Sequence, residues 1–155
     1  MEPVASGGIY SGDRISLREV MAYWLMKSEP ESYSWSDLVR DRGTEWDGVR
    51  NNAARLHLKT IKAGDRAFFY HSMSDKAVVG VMRITREAQP DPKDPNWVSV
   101  RVEPEEELIR PVTLAEIKSE PRLTKMELIR QSRLSVAPVR EDEWHLIIKM
   151  SGAAP

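Results

Sequence analysis

The segment Trp46-Asp47-Gly48-Val49-Arg50-Asn51 combines residue types that bind a planar polar ligand. A tryptophan beside a glycine and a run of polar side chains follows neither a helical nor a strand period, which predicts a loop. An indole stacks on a nucleobase with roughly 1–3 kcal/mol, and the Asp47 and Asn51 side chains can hydrogen-bond to a base edge. The alternative is an indole folded back over the core. The segment alone leaves both interpretations open.

Two short stretches are strongly basic, although the chain as a whole is not. Lys and Arg number 23 against 24 Asp and Glu, for a formal net charge of -1. Residues 46–66 hold five basic and two acidic residues, and residues 122–133 hold four basic and one acidic. Such local patches can contact a phosphate backbone. The predicted phosphate-binding residues are Arg50, Arg55, Lys59, Arg122 and Lys125, and solvated faces of ordinary amphipathic helices are the alternative.

The motifs of common catalytic sites are missing from the sequence. Cysteine is absent, which excludes disulfides, thiolate metal sites and cysteine nucleophiles. The histidines His57, His71 and His145 form no HExxH pair, and GxGxxG, P-loop and GxSxG motifs do not occur. The acidic run from Glu103 to Glu107, which Pro104 interrupts, is interpreted as a solvated strand end. We therefore predict a binding module rather than an enzyme, with no metal and no cofactor.

The elements that must position these residues are short and mixed. Apolar runs and alternation predict strands at residues 23–27, 66–71, 78–84, 98–102 and 134–136. Helices are predicted after three capping pairs, Ser34/Asp37, Thr113/Glu116 and Thr124/Glu127, and over residues 52–62 and 141–150. Three prolines predict an irregular loop at residues 89–96. This order favours an α+β domain with a curved or closed, antiparallel-rich sheet.

The chain length of 155 residues predicts a single domain. Residues 1–20 lack an apolar period and are expected to form a disordered extension, the domain spans residues 22–150, and residues 151–155 form a tail. No apolar run approaches the roughly 20 residues that cross a bilayer, and no secretory signal is recognisable. We expect a soluble protein without a membrane partner, located in the cytoplasm, with the nucleoid in a bacterium or the nucleus in a eukaryote as further possibilities.

Four motifs, taken in order, resemble the EVE domain family of the PUA-like superfamily. They are Tyr23-Trp24-Leu25-Met26-Lys27-Ser28-Glu29-Pro30, Gly48-Val49-Arg50-Asn51, Phe68-Phe69-Tyr70-His71-Ser72 and Arg133-Leu134-Ser135-Val136. The resemblance covers nearly all of residues 22–150. It implies a PUA-like pseudo-barrel of five or six mostly antiparallel strands with short peripheral helices. EVE domains are similar to YTH domains, and the resemblance implies a reader of modified bases in DNA or RNA.

The resemblance also implies a base pocket. Trp46 corresponds to the cage tryptophan, Tyr70 is the other aromatic candidate, and Leu134 is a candidate aliphatic wall. The full set of predicted pocket residues is Lys27, Ser28, Glu29, Trp46, Asp47, Val49, Asn51, Tyr70, His71, Ser72, Arg133, Leu134 and Ser135.

The first hypothesis is a monomeric, non-enzymatic module that flips a modified base of DNA or RNA into this pocket. Methylated or hydroxymethylated cytosine in DNA is the first choice of base, and a modified RNA base is the second. One alternative is a PUA-like hydrolase of a small amide or modified nucleoside that uses Lys27 and Glu29 as acid and base. The other alternative is a peptide-binding interaction domain.

Overall fold

The computed structural model describes residues 22–152, so the extension predicted for residues 1–20 and the last three residues of the predicted tail lie outside the described part. In chain order the elements are β1 (Tyr23–Ser28), α1 (Trp35–Asp41), β2 (Thr44–Trp46), α2 (Asn52–Thr60), β3 (Arg66–His71), β4 (Ala77–Asp91), β5 (Asp94–Thr113), α3 (Leu114–Ser119), a 3₁₀ turn (Pro121–Leu123), α4 (Glu127–Arg130), β6 (Val136–Val139) and α5 (Glu141–Met150).

The six strands form one sheet in the order β2-β5-β4-β3-β1-β6. The β1–β3 pair is parallel and the other pairs are antiparallel. This confirms the predicted α+β class, with six mostly antiparallel strands and short helices. Among the described residues the sheet is open, with β2 and β6 at its edges.

The predicted proline loop at residues 89–96 is wrong, because β4 and β5 run through it as a long hairpin. β4 extends to Asp91 and β5 begins at Asp94. The pairing is irregular around Pro90, and this end of the hairpin pairs with no third strand among the described residues. Proline is tolerated at bulges and at unpaired strand edges, because no ladder hydrogen bond is lost there. The acidic run at 103–107 lies inside β5 rather than at a strand end.

The predicted capping boxes have different outcomes. Ser34 with Asp37 and Thr113 with Glu116 form both of their reciprocal hydrogen bonds. The third prediction, Thr124 with Glu127, is wrong, since the Thr124 hydroxyl donates to the Pro121 carbonyl at 3.2 Å. The 3₁₀ turn brings that carbonyl within reach, and α4 starts after Met126 without a side-chain cap.

The end of the chain follows the prediction more closely. The last strand occupies residues 136–139 instead of 134–136, because Leu134 and Ser135 belong to the loop that precedes it. The final helix lies at 141–150 as predicted, with Trp144 and Ile147 buried and Ile148 half-buried.

Each face of the sheet carries its own apolar cluster. Because successive strand residues point to opposite faces, Phe69 belongs to the cluster that contains Trp46, and Phe68 and Tyr70 belong to the other cluster. On the second face Phe68 stacks on Trp144 of α5, with ring centroids 3.8 Å apart. The two predicted aromatic walls, Trp46 and Tyr70, are therefore on opposite sides of the sheet.

Candidate base-binding cavity

A cavity of about 410 Å³ opens where β1 ends. Its lining comes from Lys27 and Ser28, Ser32 and Tyr33, residues 44–50, and Lys93 and Ser135. Ligand pockets have volumes of about 300–1,000 Å³, so a single planar ring with its substituents fits within this one. Of the predicted base-pocket residues, the structure brings Lys27, Ser28, Trp46, Asp47, Val49 and Ser135 together here.

Trp46 is both a wall of this cavity and part of the core. It is the last residue of β2, only 7% exposed, and its indole meets the Phe69 ring edge to face at 5.5 Å. The sequence left open whether this indole contacts a ligand or covers the core, and its position allows both. The core fixes the orientation of the indole, so no ordering of the ring is needed when a ligand binds.

Asp91, at the tip of the β4–β5 hairpin, holds the loop that follows Trp46. Its buried carboxylate accepts hydrogen bonds from the Gly48 amide at 2.8 Å, the Lys93 amide at 2.6 Å and Nη1 of Arg50 at 3.0 Å. Burial alone would raise the pKa of Asp91, but these hydrogen bonds lower the pKa below its ordinary value. Gly48 has a φ of 79°, a conformation that few other residues adopt without strain.

Two carboxylates line the cavity, and they differ in how many hydrogen bonds they already accept within the protein. Glu45 accepts two hydrogen bonds from Arg86, at 2.6 and 2.9 Å, and one from the Ser99 hydroxyl at 2.9 Å. The Arg86 hydrogen bonds hold the pKa of Glu45 below its usual range, and three of the roughly four acceptor positions of its carboxylate are occupied within the protein. The Asp47 carboxylate has a longer contact, 3.4 Å to Nζ of Lys93. Asp47 is therefore the better placed of the two to accept a hydrogen bond from a ligand.

The β1 end of the cavity offers hydroxyl groups and a lysine. The Ser28 hydroxyl donates to the Tyr33 carbonyl at 2.5 Å, which leaves its lone pairs to accept a further bond. The Lys27 ammonium donates to the Ser132 carbonyl at 2.7 Å, and the Lys27 amide donates to the Ser135 carbonyl at 3.0 Å. Burial lowers the pKa of Lys27. Lys27 thus ties β1 to the loop that brings Ser135 to the cavity.

Seven of the thirteen predicted pocket residues do not line the cavity, and four of these lie away from it. Tyr70 is buried on the other face of the sheet, where burial raises its pKa to about 12. His71 Nε2 accepts from the Trp35 amide at 3.1 Å and Nδ1 lies 2.9 Å from Asp75, so the ring supports the start of α1. Ser72 donates its amide to the Ser28 carbonyl at 2.9 Å. The side chain of Glu29 is exposed.

Tyr33 and Lys93 line the cavity although the sequence did not point to them. The Tyr33 hydroxyl donates to Asp41 at 2.8 Å, which fixes the ring at the edge of the cavity. Only the proximity of Tyr33 to the Ser28-Glu29-Pro30 turn was a signal. Lys93 lay within the predicted proline loop and had none.

The three remaining predicted base-pocket residues line a neighbouring cavity of about 350 Å³. Asn51, Arg133 and Leu134 form its walls with Ala53, Gln131 and Ser132. Asn51 also caps α2, because its side-chain oxygen accepts from the Ala54 amide at 2.9 Å.

The predicted phosphate-binding residues do not form one surface. Arg50 and Arg55 both lie over the Trp97 ring, with guanidinium carbons 5.6 and 4.9 Å from its centroid. Lys59 is exposed on α2. Arg122 forms an ion pair with Glu120 at 3.0 Å. Lys125 lines a separate cavity with Val139, at the opposite end of β6 from Ser135.

No group of three or more metal-ligating side chains occurs within residues 22–152. The hydrolase hypothesis needs Lys27 and Glu29 to act as a pair, and in the described part of the chain no ion pair joins them. None of the described helices is long and apolar enough to cross a membrane.

The fold and the site define a class of protein: an α+β domain with a polar cavity, walled by a tryptophan, at the end of its first strand. The chain belongs to the EVE domain family, whose model matches residues 22–150. Human thymocyte nuclear protein 1 is 32% identical to it over 181 residues, which cover 94% of this chain and 80% of the human protein.

Solved structures give the same family. The solution structure of Rpa0253 from Rhodopseudomonas palustris is 49% identical, with a TM-score of 0.81, and the match covers 85% of this chain and 94% of that one. The crystal structure of human THYN1 in complex with 5-methylcytosine-containing DNA is 33% identical, with a TM-score of 0.80, over 86% of this chain and 99% of that one. An ASCH protein from Zymomonas mobilis, 10% identical with a TM-score of 0.53, shares the fold alone.

Proposed function

We propose that this protein is a non-enzymatic nucleic-acid-binding module that reads a modified cytosine by taking the base into the Trp46 cavity. The observation that carries the proposal is the cavity itself, in which an indole fixed by the core faces hydroxyl and carboxylate acceptors. The human relative whose structure contains 5-methylcytosine DNA supports the choice of polymer and of base.

The polar groups of the cavity suit the Watson–Crick edge of cytosine. Its exocyclic amine is a hydrogen-bond donor, and the Asp47 carboxylate and the lone pairs of the Ser28 hydroxyl are acceptors. Ser135 adds a hydroxyl that can donate to a ring nitrogen or carbonyl. A methyl or hydroxymethyl group on the ring would pack against Trp46, Val49 or the Tyr33 ring.

Base flipping is required because Trp46 is almost completely buried. A base inside a duplex cannot reach its ring, whereas an extruded base can enter the cavity. Extrusion costs a few kcal/mol, and stacking on one indole returns roughly 1–3 kcal/mol. Hydrogen bonds at the base edge and contacts to the flanking phosphates must provide the rest.

The test is a titration of labelled oligonucleotides of one sequence that carry cytosine, 5-methylcytosine or 5-hydroxymethylcytosine at one position, as DNA and as RNA. The parent protein is expected to bind one modified DNA more tightly than the unmodified strand. Trp46→Leu should weaken binding of the preferred strand by roughly 1–3 kcal/mol, because the stacking surface is lost.

Trp144→Leu is the matched control, because Trp144 is an equally buried indole in the cluster on the other face. Both variants lose core packing, and only Trp46→Leu should lose base preference. Equal binding of all strands by the parent would contradict the proposal. A folded Trp46→Leu variant with the parent's preference would remove Trp46 from the site.

A further inference from the structure

The smaller cavity next to the base cavity continues the same groove. Arg50 and Ser135 line the base cavity, and their chain neighbours Asn51 and Leu134 line the smaller one. Both cavities thus lie between the same two segments, residues 44–53 and 131–135.

The cations that line the base cavity are engaged within the protein. Arg50 pairs with the buried Asp91 at 3.0 Å, Lys93 lies 3.4 Å from Asp47, and Lys27 donates to the Ser132 carbonyl. No acidic residue lines the smaller cavity. Arg133 there is exposed, and within residues 22–152 its side chain makes no ion pair or hydrogen bond. Among the residues that the structure describes, Arg133 is thus the cation lining the two cavities that has no partner within the protein.

The loop that carries Arg133 is held on both sides. The Ser132 carbonyl accepts from the Lys27 ammonium, and the Ser135 carbonyl accepts from the Lys27 amide. Leu134, next to Arg133, is only 5% exposed and belongs to the core. The backbone of Arg133 is therefore positioned before a ligand arrives, which reduces the entropy lost on binding.

We propose that this smaller cavity is a subsite for the phosphodiester that flanks the base in the Trp46 cavity, and that Arg133 is its cation. The resemblance to EVE domains assigned Arg133 to base recognition, and the subsite assigns it to the backbone instead. The inference rests on the proposed function. A guanidinium donates two parallel hydrogen bonds to a phosphate, so it fixes the register of the strand without reading its sequence.

The test compares Arg133→Gln with Arg83→Gln on duplexes with and without the preferred modified cytosine, over about 50–200 mM salt. Arg83 is an exposed arginine in β4 that forms an ion pair with Glu103 at 3.4 Å. It lies opposite Arg66 at the start of β3, at the other end of the β1–β3 pair from Ser28. Arg133→Gln should weaken binding of both duplexes by the same factor and reduce the log–log salt slope by about one. The ratio of the variant's Kd to the parent's Kd should fall about threefold as the salt concentration rises across that range. Arg83→Gln should match the parent.

A second measurement identifies the phosphate directly. A neutral methylphosphonate replaces each phosphodiester beside the modified base in turn. At one position the substitution should weaken binding of the parent and leave binding of the Arg133→Gln variant unchanged. Melting curves check that both variants are folded.

Three results would overturn the subsite: an unchanged salt slope for Arg133→Gln, a loss of base preference in that variant at constant slope, or methylphosphonate effects of equal size in parent and variant. Failure of the proposed function is a different result. The parent would then bind modified and unmodified duplexes equally, while the effect of Arg133 on the salt slope is still measurable on both.

Discussion

Replacing Asp91 by asparagine tests whether the hairpin tip holds the base cavity in shape. The carboxylate has three donors around it: the Gly48 amide and Arg50 on one oxygen and the Lys93 amide on the other. A carboxamide has one acceptor oxygen, so its amino group must face at least one of these donors. The variant loses one charge-assisted hydrogen bond, worth about 1.5–3 kcal/mol, and weakens the others. Arg50 is partly exposed and regains water, so we expect a total loss of about 2–4 kcal/mol.

The pH dependence of this loss has a definite sign. The pKa of Asp91 is lowered in the folded protein, so the ionised carboxylate stabilises the fold above its unfolded pKa of about 3.9. That stability is lost as the pH falls through the folded pKa. The difference in unfolding free energy between parent and Asp91→Asn should therefore be constant above about pH 5 and shrink below about pH 4. Other carboxylates titrate in both proteins and cancel in the difference.

Urea unfolding of both proteins across this pH range measures the difference, and titration with the preferred oligonucleotide measures the effect on binding. We expect base preference to fall, because the Trp46–Arg50 loop loses its anchor. A loss under about 1 kcal/mol at pH 7, or a difference that persists unchanged at low pH, would refute the role given to Asp91. Asp94→Asn is the control, since Asp94 lies in the same hairpin tip and accepts an exposed hydrogen bond from the Asn96 amide.

Two further substitutions test the supports of the cavity. Gly80→Ala should lower the unfolding free energy by about 1–3 kcal/mol, because the added Cβ would lie 2.5 Å from the Trp35 ring. Urea unfolding measures this loss. An unchanged urea midpoint would show that the Trp35 ring moves aside without cost. His71→Ala should cost about 1–3 kcal/mol, because the Trp35 amide loses its acceptor, while base preference in oligonucleotide titrations stays at the parent's value. The exposed His145→Ala is its control, and a loss of preference in His71→Ala alone would return His71 to the site.

The sequence predicted those site residues that local patterns expose. The Trp46–Asn51 segment breaks both regular periods, which predicted a loop; residues 47–51 are a loop, whereas Trp46 itself ends β2, because it pairs with Val100 of β5. β1 ends at Ser28, two residues before Pro30, as the proline predicts. Trp46 and Asp47 were found in this way, whereas Ser28 was implied by the resemblance to EVE domains. The sequence placed Tyr70 in the same pocket, although Phe69 is the residue that meets Trp46. A one-residue change in strand position moves a side chain to the other face, and only the register of β3 against its neighbours decides it.

Long-range contacts account for what the sequence did not predict. Lys93 and Asp91 lie more than 40 residues from the loop they hold, in a segment whose prolines indicated irregular structure. Basic residues were selected by charge alone, and charge does not show that Arg50 and Arg55 lie over the Trp97 ring or that Arg122 pairs with Glu120. Several basic side chains that the sequence suggests as phosphate ligands therefore already contact a ring or a carboxylate within the protein.

The extended β4–β5 hairpin connects these observations. β2 pairs with β5 only at residues 100–102, so the end of the hairpin beyond residue 88 pairs with no third strand among the described residues. The additional length brings Asp91 to the loop after Trp46 and Lys93 to the lining of the cavity. It also places Trp97 against Arg50 and Arg55. This part of the hairpin pairs only with itself among the described residues, and the Asp91 hydrogen bonds join it to the loop after Trp46. The shape of the base cavity therefore depends on contacts between the loop after Trp46 and the end of the β4–β5 hairpin. The sequence of the loop alone does not reveal these contacts.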